Sequence, residues 1–205
     1  MRAWSRALRT RWWRPRPWCF RSAEGHTLVD VLFTSSLLCI LAGISVPGLL
    51  ANVDRSRGAA AARYLAARAA LARAQAVGRS AVVALHFAQD ARGISFSVVQ
   101  DGNGNGVLSQ DIASQIDREV EAPVLLSDLF PGVSIGLTPA APAAQAVALG
   151  GTMILSFTPT GTATSGSVYV RGRDGTQWVV RVLGVTARAR VLRYVPASNT
   201  WVNAD

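Results

Sequence analysis

The side chains best suited to chemistry lie in one glycine-rich stretch, "DGNGNGVLSQD", at residues 101–111. Gly106 stands where a calcium-binding loop turns sharply, but the twelfth position of such a loop holds Ile112 instead of a bidentate glutamate. The Asn-Gly pairs also predict a tight hairpin turn, so calcium binding and a plain turn are both open. The candidate calcium ligands are four oxygen-bearing side chains: Asp101, Asn103, Asn105 and Asp111.

The other reactive side chains do not form a catalytic set in the sequence. His26 and His86 are far apart, and His86 lies in an apolar, strand-like stretch. Cys19 and Cys39 both precede the globular region, so neither can form a disulfide within it. The sequence contains no Ser-His-Asp order, metal-ligand spacing or phosphate-cradling glycine loop. We therefore predict neither enzymatic activity nor a small-molecule substrate.

Asp30 is a further candidate because it stands at the start of a long apolar segment. The twenty-one residues 31–51 carry no charge, and at about 1.5 Å per residue a helix of this length spans a hydrocarbon core. Seven arginines precede the segment, which predicts that the N-terminus stays in the cytoplasm and the rest crosses the membrane. A carboxylate in lipid is costly, so Asp30 should have a functional partner.

A cut after Gly25 would create that partner. His26 would then carry a new α-amino group, which a rigid helix keeps away from its own Asp30 but which could pair with Asp30 of a neighbouring chain. Two other interpretations remain open, namely a cleaved secretory signal and an ordinary uncleaved anchor. A secretory signal would need a shorter apolar core that ends in a small-residue cleavage site, and neither alternative accounts for the acid.

The elements that must position these residues are one long helix and a set of strands. Residues 52–80 are rich in alanine and arginine, which favour helix, and we expect this helix to continue from the apolar segment. Its large apolar side chains are predicted on one side: Tyr64, Leu65, Leu71 and Val77. The interleaved arginines are predicted to form a solvated basic face: Arg63, Arg68, Arg73 and Arg79.

After Gly78 the pattern changes to strands. Residues 138–151, "TPAAPAAQAVALGG", predict a flexible surface loop. The predicted fold class is α+β, with a long N-terminal helix (a membrane half and an amphipathic half) packed on an antiparallel β-sheet domain in two layers. The predicted strands are "AVVALHF", "GISFSVVQ", "MILSFTPTG", "GSVYVRGR", "TQWVVRVLG" and "ARVLRYV".

Charge is concentrated at the N-terminus. Residues 1–25 hold seven arginines and one acid, whereas the remaining residues hold fourteen arginines and eleven acids. Most of the formal charge of +9 therefore belongs to the leader, and it is weak evidence for nucleic-acid binding by the body. The predicted organisation is a basic leader at 1–25, a membrane helix at 26–51 and a globular domain at 52–205.

The stretch "GHTLVDVLFTSSLLCILAGISVPGLL" resembles the class III leader and N-terminal helix of type IV pilins and type II secretion pseudopilins. Gly25 matches the family's cleavage glycine, Asp30 its acid and Pro47 its helix-bending proline. The family usually has phenylalanine where His26 stands and glutamate where Asp30 stands. The resemblance implies that prepilin peptidase cuts between Gly25 and His26, with methylation of the new N-terminus. The mature protein would cross the bacterial inner membrane once, with its domain in the periplasm.

The order of elements after the leader is similar to the GspH/FimT branch of minor pseudopilins. The similarity is carried by the alanine- and arginine-rich helix end before the first strand and by "DGNGNGVLSQDI", "LFPGVSIGL" and "LSFTPTGTATSG". It implies a minor pseudopilin of a type II protein secretion system, whose partners are other major and minor pseudopilins, the peptidase and the inner membrane. The alternative is a FimT-like minor pilin of a type IV pilus, used for pilus assembly, adhesion or DNA uptake.

Under this alternative, DNA would be a partner through a basic C-terminal motif of the Gly-Arg-x-Arg kind. Ala187, Arg188, Ala189 and Arg190 resemble that motif, with alanine in place of the glycine. On a strand, Arg188 and Arg190 would share a face with Tyr194, whereas Arg193 would point the other way. Two arginines give few phosphate contacts, so DNA binding through them would be weak. The other interpretation of these residues is a solvated face of a strand, without a DNA-binding role.

Overall fold

The computed structural model describes residues 27–204, with the side chain at position 47 excepted. The predicted leader, which ends at Gly25, and His26 lie outside the described residues. Contacts divide the chain into two units, Met1–Ile44 and Ser45–Asp205. The predicted domain boundary after residue 51 stays a prediction.

Helix α1 runs from Leu28 to Arg79 and comprises 52 residues, which confirms the prediction of one long N-terminal helix. It is long and apolar enough to cross a membrane by length and composition, and large side chains of its first part, such as Phe33 and Leu38, are exposed. The helix continues through Pro47, and the bend expected there stays a prediction.

At the C-terminal end of α1, Ser80 adopts φ +51° and the Ala81 N–H donates to the Ala76 carbonyl at 3.3 Å. This pattern is the Schellman motif that ends many helices.

In the part of the chain that the structure describes, ten strands and two short helices follow α1. The short helices are α2 (Ser109–Ala113) and α3 (Leu126–Leu129). Sheet A has the order β3-β2-β1-β6, and sheet B has the order β10-β9-β8-β7-β4 with β5 also paired to β7. Every pairing is antiparallel. The strands are β1 (Val83–Asp90), β2 (Gly93–Gln100), β3 (Arg118–Leu125), β4 (Ser134–Ile135), β5 (Val147–Ala148), β6 (Ile154–Phe157), β7 (Gly166–Arg171), β8 (Gln177–Leu183), β9 (Arg188–Val195) and β10 (Thr200–Asn203).

This architecture confirms the predicted α+β class, with two sheets where one was expected. The six predicted strands are β1, β2 and β6 to β9, whereas β3, β4, β5 and β10 were missed. Strand β3 contains Glu119, Glu121 and Pro123 and lies at the edge of sheet A. Charges and proline are typical of edge strands, where they discourage pairing with another chain. They also hide the apolar alternation that identifies a strand.

The helix packs on the domain through small residues. Ala62, Leu65 and Ala69 join a core cluster with Phe87, Val180 and other residues of both sheets. Leu71 and Val77, which were predicted on the packed side, are 44% and 51% exposed, so that part of the prediction was wrong. Alanine side chains let the helix approach the strands closely, and of the larger side chains in the pattern only Tyr64 and Leu65 pack on the core.

Gly58 shows how close this approach is. A Cβ atom at Gly58 would lie 2.8 Å from Nε1 of Trp178, a buried residue of β8. Because a real Cβ atom does not tolerate such a contact, a glycine is needed where the helix crosses this ring.

The solvated basic face that was predicted for the helix is only partly correct, because Arg63 and Arg79 are exposed whereas Arg68 and Arg73 are half-buried. Arg68 pairs with Glu121 of β3. Arg79 donates to Gln100 Oε1 at 2.7 Å, and Arg63 donates to the carbonyl of Ala204 at 2.9 Å. These long side chains reach past the alanines and bind the edges of the domain.

The predicted loop at 138–151 is partly wrong. Val147 and Leu149 are buried in the core, and Val147 pairs with Val168 of β7. Thr138 N–H donates to Oε1 of the buried Gln177 at 2.6 Å. A low-complexity composition hid the short strand β5, because two paired residues give no detectable alternation.

Candidate functional site

The N-terminus of α1 holds the first candidate site, formed by Thr27 and Asp30. Oδ2 of Asp30 accepts hydrogen bonds from the backbone N–H of Thr27 at 3.1 Å and from its hydroxyl at 2.7 Å. In return, the Asp30 N–H donates to Oγ1 of Thr27 at 3.3 Å. Thr27 immediately precedes the helix and Asp30 is its third residue, so the pair forms a capping box. We call it the Thr27–Asp30 cap.

The cap gives Asp30 a local role that the sequence prediction missed. Its carboxylate satisfies a backbone donor at the helix start and lies at the favourable end of the helix dipole. Both bonds from Thr27 reach Oδ2, and within residues 27–204 no hydrogen bond reaches Oδ1. A threonine three residues before an acid was the available signal. Capping and pairing with a neighbour's amine are compatible, because they use different oxygen atoms.

The glycine-rich loop between β2 and α2 holds the second candidate site. Oδ1 of Asp101 accepts the N–H groups of Asn103 at 3.0 Å and Gly104 at 2.7 Å. Its Oδ2 accepts the N–H of Gly106 at 2.8 Å. Asp101 is only 9% exposed, so one buried carboxylate organises three backbone donors of the turn.

Two more buried aspartates complete this loop. Oδ2 of Asp111 accepts the side-chain amides of Asn103 at 3.2 Å and Asn105 at 2.9 Å. Asp117, which the sequence prediction did not include, accepts the N–H of Gly102 at 3.0 Å and of Leu108 at 3.0 Å. Gly102 itself has no room for a Cβ atom, which would collide with the carbonyl oxygen of Ile116.

The loop therefore brings the four predicted residues together around backbone and amide donors. Within residues 27–204, no group of three or more His, Cys, Asp or Glu side chains is arranged to hold a metal ion. The observed hydrogen bonds account for these carboxylates as parts of a self-capped turn. Calcium binding stays a prediction that only a measurement with the ion decides.

The third candidate site lies on β9. Arg188 and Arg190 share one face of sheet B, since they stand opposite Leu183 and Arg181 of β8. Tyr194 belongs to the same face, as predicted, and stands opposite Trp201. Ala187 adopts φ +49°, a conformation that favours glycine. Ala187 stands where the Gly-Arg-x-Arg motif has its glycine, so this backbone conformation gives a physical reason for a glycine there.

The sequence prediction missed Arg181 as the partner of these arginines. Arg181 stands directly opposite Arg190, and its Nε donates to Oγ of Ser167 at 3.4 Å. A depression of about 350 Å³ lies between them, lined by Ser165, Ser167, Arg181, Leu183, Arg188 and Arg190, among other residues. Arg181 lies beside Arg188 and Arg190 because of the pairing register of β8 with β9, and this register could not be predicted from the sequence.

His86 lies on β1, opposite Ser97 on one side and Ile154 on the other. It is half-buried on the face of sheet A that faces away from Leu85 and Phe87 of the main core. Burial lowers the pKa of His86, and the nearby Glu119 carboxylate partly opposes this effect. Its position agrees with the prediction of a strand residue.

Comparison with known proteins gives one family match. The family model described as "Type II transport protein GspH" matches residues 61–186, which extend from the second half of α1 to the β8–β9 turn. A solved structure of the minor pseudopilin EpsH from the type 2 secretion system of Vibrio cholerae is 15% identical, with a TM-score of 0.42. That match covers 64% of this chain and 93% of the EpsH chain. No curated protein matches the sequence.

Proposed function

The chain belongs to the GspH family of type II transport proteins, and from this membership we propose that it is a minor pseudopilin of a type II secretion system. The observation that carries the proposal is the family match over most of the globular domain, residues 61–186. The role is structural: the protein would join other major and minor pseudopilins and act on no small molecule. The family description favours secretion over the pilus alternative.

Processing and membrane placement are further parts of the proposal. Prepilin peptidase would cut between Gly25 and His26, after which the apolar start of α1 would anchor the chain in the inner membrane. The arginine-rich leader supports a cytoplasmic N-terminus and a periplasmic domain. The apolar length of α1 supports a single membrane pass.

Asp30 would then guide assembly. The α-amino group of His26 in one chain would pair with Asp30 of its neighbour, in a medium where an unpaired charge is costly. Within its own chain, the Thr27–Asp30 cap uses Oδ2, so Oδ1 would accept the neighbour's amine. The cap would hold the carboxylate in place, and the charge would set the register between helices.

Variants at these two positions separate the roles of cap and charge. Asp30→Asn keeps an oxygen that can accept the Thr27 bonds but removes the charge, whereas Thr27→Ala removes the hydroxyl and keeps the charge. We expect both variants to insert in the membrane. Asp30→Asn and Asp30→Ala should fail to co-purify with partner pseudopilins, whereas Thr27→Ala and Asp30→Glu should still co-purify with them.

The opposite pattern would contradict the charge pair. If Asp30→Asn co-purifies with the partners as well as the unmodified protein does, and Thr27→Ala does not, Asp30 acts in assembly as a helix cap alone. Cleavage at residue 25 must be checked in each variant, because an unprocessed chain has no free amine at His26.

A further inference from the structure

The β8–β9 hairpin presents three arginines on the outer face of sheet B. Arg181 and Arg190 stand directly opposite each other, and Arg188 is the next residue of β9 on the same face. Side chains in such a pair have Cβ atoms about 4.5–5.5 Å apart, and like charges in this position destabilise a sheet. The three positive charges repel one another, and an anionic partner would relieve that repulsion.

The chain offers these arginines little compensation in the part that the structure describes. Between residues 27 and 204, the ion pairs are Arg57–Asp54, Arg68–Glu121 and Arg92–Asp90, and none involves the hairpin. All three hairpin arginines are exposed around the depression of about 350 Å³. Apart from Nε of Arg181, which donates to Ser167, their guanidinium N–H groups are therefore available to an external acceptor.

Apolar side chains at the same hairpin indicate what kind of partner fits. Leu183 is 58% exposed and Val185 in the turn is 82% exposed. Protein interfaces combine apolar contact with arginine anchors, whereas a phosphate backbone offers nothing apolar against Leu183. The fourteen arginines and eleven acids after residue 25 also nearly balance, so long-range attraction for nucleic acid is weak.

We propose that this surface, formed by Arg181, Leu183, Val185, Arg188 and Arg190, docks a protein partner through an acidic segment. The segment would present at least two Asp or Glu carboxylates beside one apolar side chain. The carboxylates accept paired N–H bonds from the guanidinium groups, while the apolar side chain covers Leu183 and Val185. The docking surface lies in the unit Ser45–Asp205, whereas Asp30 lies in the unit Met1–Ile44, so variants can change one site without touching the other.

A synthetic peptide tests the proposal on the full chain in non-ionic detergent. The probe carries a dye, two aspartates and two glutamates around a central leucine, and its binding is followed by fluorescence anisotropy. We expect saturable binding that weakens as salt rises. The triple change of Arg181, Arg188 and Arg190 to Gln should weaken it by about tenfold or more.

Matched controls separate the surface from net charge. The triple change of Arg92, Arg171 and Arg173 to Gln removes the same charge elsewhere and should leave peptide binding unchanged. Leu183→Asn should weaken binding while all three arginines remain. Removing the repulsion should not lower the melting temperature of the hairpin variant, and if that variant fails to fold, Arg188→Gln alone takes its place.

Three results would overturn the proposal. The first is equal binding of a peptide with Asn and Gln in place of the acids, and the second is equal loss of binding in both triple variants. The third is tighter binding of duplex DNA, or of vesicles with anionic lipid, that requires the same three arginines. That third result would assign the surface to nucleic acid or to a membrane.

Discussion

At the scale of single residues, Asp30 combines an observed role in the helix cap with a proposed role in assembly. Its carboxylate closes the cap with Thr27 at 2.7 and 3.1 Å, and in the proposed assembly it also accepts a neighbour's amine. A capping bond contributes about 0.5–2 kcal/mol to a helix. Leaving the charge unpaired in lipid costs about 2.5–3.5 kcal/mol at the membrane centre and less near its surface. Because Asp30 stands at the start of the apolar segment, the lower cost applies there, and the two effects are of similar size.

His86 should make the stability of the protein depend on pH. Burial lowers its pKa in the folded state, so the unfolded chain binds a proton at a pH where the folded chain does not. The contribution of neutral His86 to the free energy of unfolding is therefore complete above the unfolded pKa of about 6.5. It is lost progressively as the pH drops below that value. Melting temperatures measured from about pH 8 to about pH 5 should decline less in His86→Gln than in the unmodified protein. Equal declines would show that other groups carry the pH dependence.

Asp101 should stabilise the glycine-rich loop even without a metal ion. Asp101→Ala leaves three backbone N–H donors without their acceptor. Asn103 and Gly104 are exposed, so water can replace the acceptor there, and each lost bond costs about 0.5–1.5 kcal/mol. We expect a lower melting temperature in chelator, with a smaller loss in Asp101→Asn, which keeps one oxygen. An Asp101→Ala protein that melts like the unmodified one would contradict this role.

The same samples test the calcium prediction. A ligand that binds only the folded state raises the melting temperature by mass action. If the loop binds calcium, the unmodified protein melts higher in about 1 mM calcium than in chelator, and Asp101→Ala loses this shift. An unchanged melting temperature leaves the self-capped turn as the sole role of the loop.

At the scale of elements, the close packing of α1 on sheet B rests on Gly58. Gly58→Ala places a methyl group against Trp178, and overpacking of this kind costs about 1–3 kcal/mol. Gly78→Ala, in the same helix, meets nothing within 4 Å and should stabilise by up to about 1 kcal/mol. Thermal unfolding should therefore shift in opposite directions in the two variants. Stabilisation by both would mean that the helix does not approach the ring as closely as described.

The sequence predicted elements well where their patterns are long and local. The long helix and six strands follow from composition and alternation, because these signals depend on neighbours in the chain. The packed side of α1 could not be fully predicted, because alanines occur on both its buried and its exposed sides. The larger Leu71 and Val77 suggested a buried side, but both are exposed. Asp117 was left out of the candidate ligands and Arg181 was missed for a related reason, because only tertiary contacts and strand register bring them to the candidate sites.

At the scale of the whole molecule, the family match and the proposed assembly segment lie in different parts of the chain. The match covers residues 61–186, whereas Gly25, His26 and Asp30 precede it. Membership of the GspH family therefore rests on the domain, and the account of processing rests on the leader and the start of α1. Net charge is divided in the same way. Residues 1–25 hold seven arginines and one acid, whereas the remaining residues hold fourteen arginines and eleven acids.

The N-terminus of the mature protein tests the central claim most directly. The chain is produced in cells with and without prepilin peptidase, purified from membranes, and its first residue is determined by N-terminal sequencing or intact mass. With the peptidase, the protein should begin at His26. Without it, or in Gly25→Leu, the leader should remain, because a small residue is needed at the scissile bond. A mature protein that begins near Ala51, or a start at His26 that does not require the peptidase, would contradict the account.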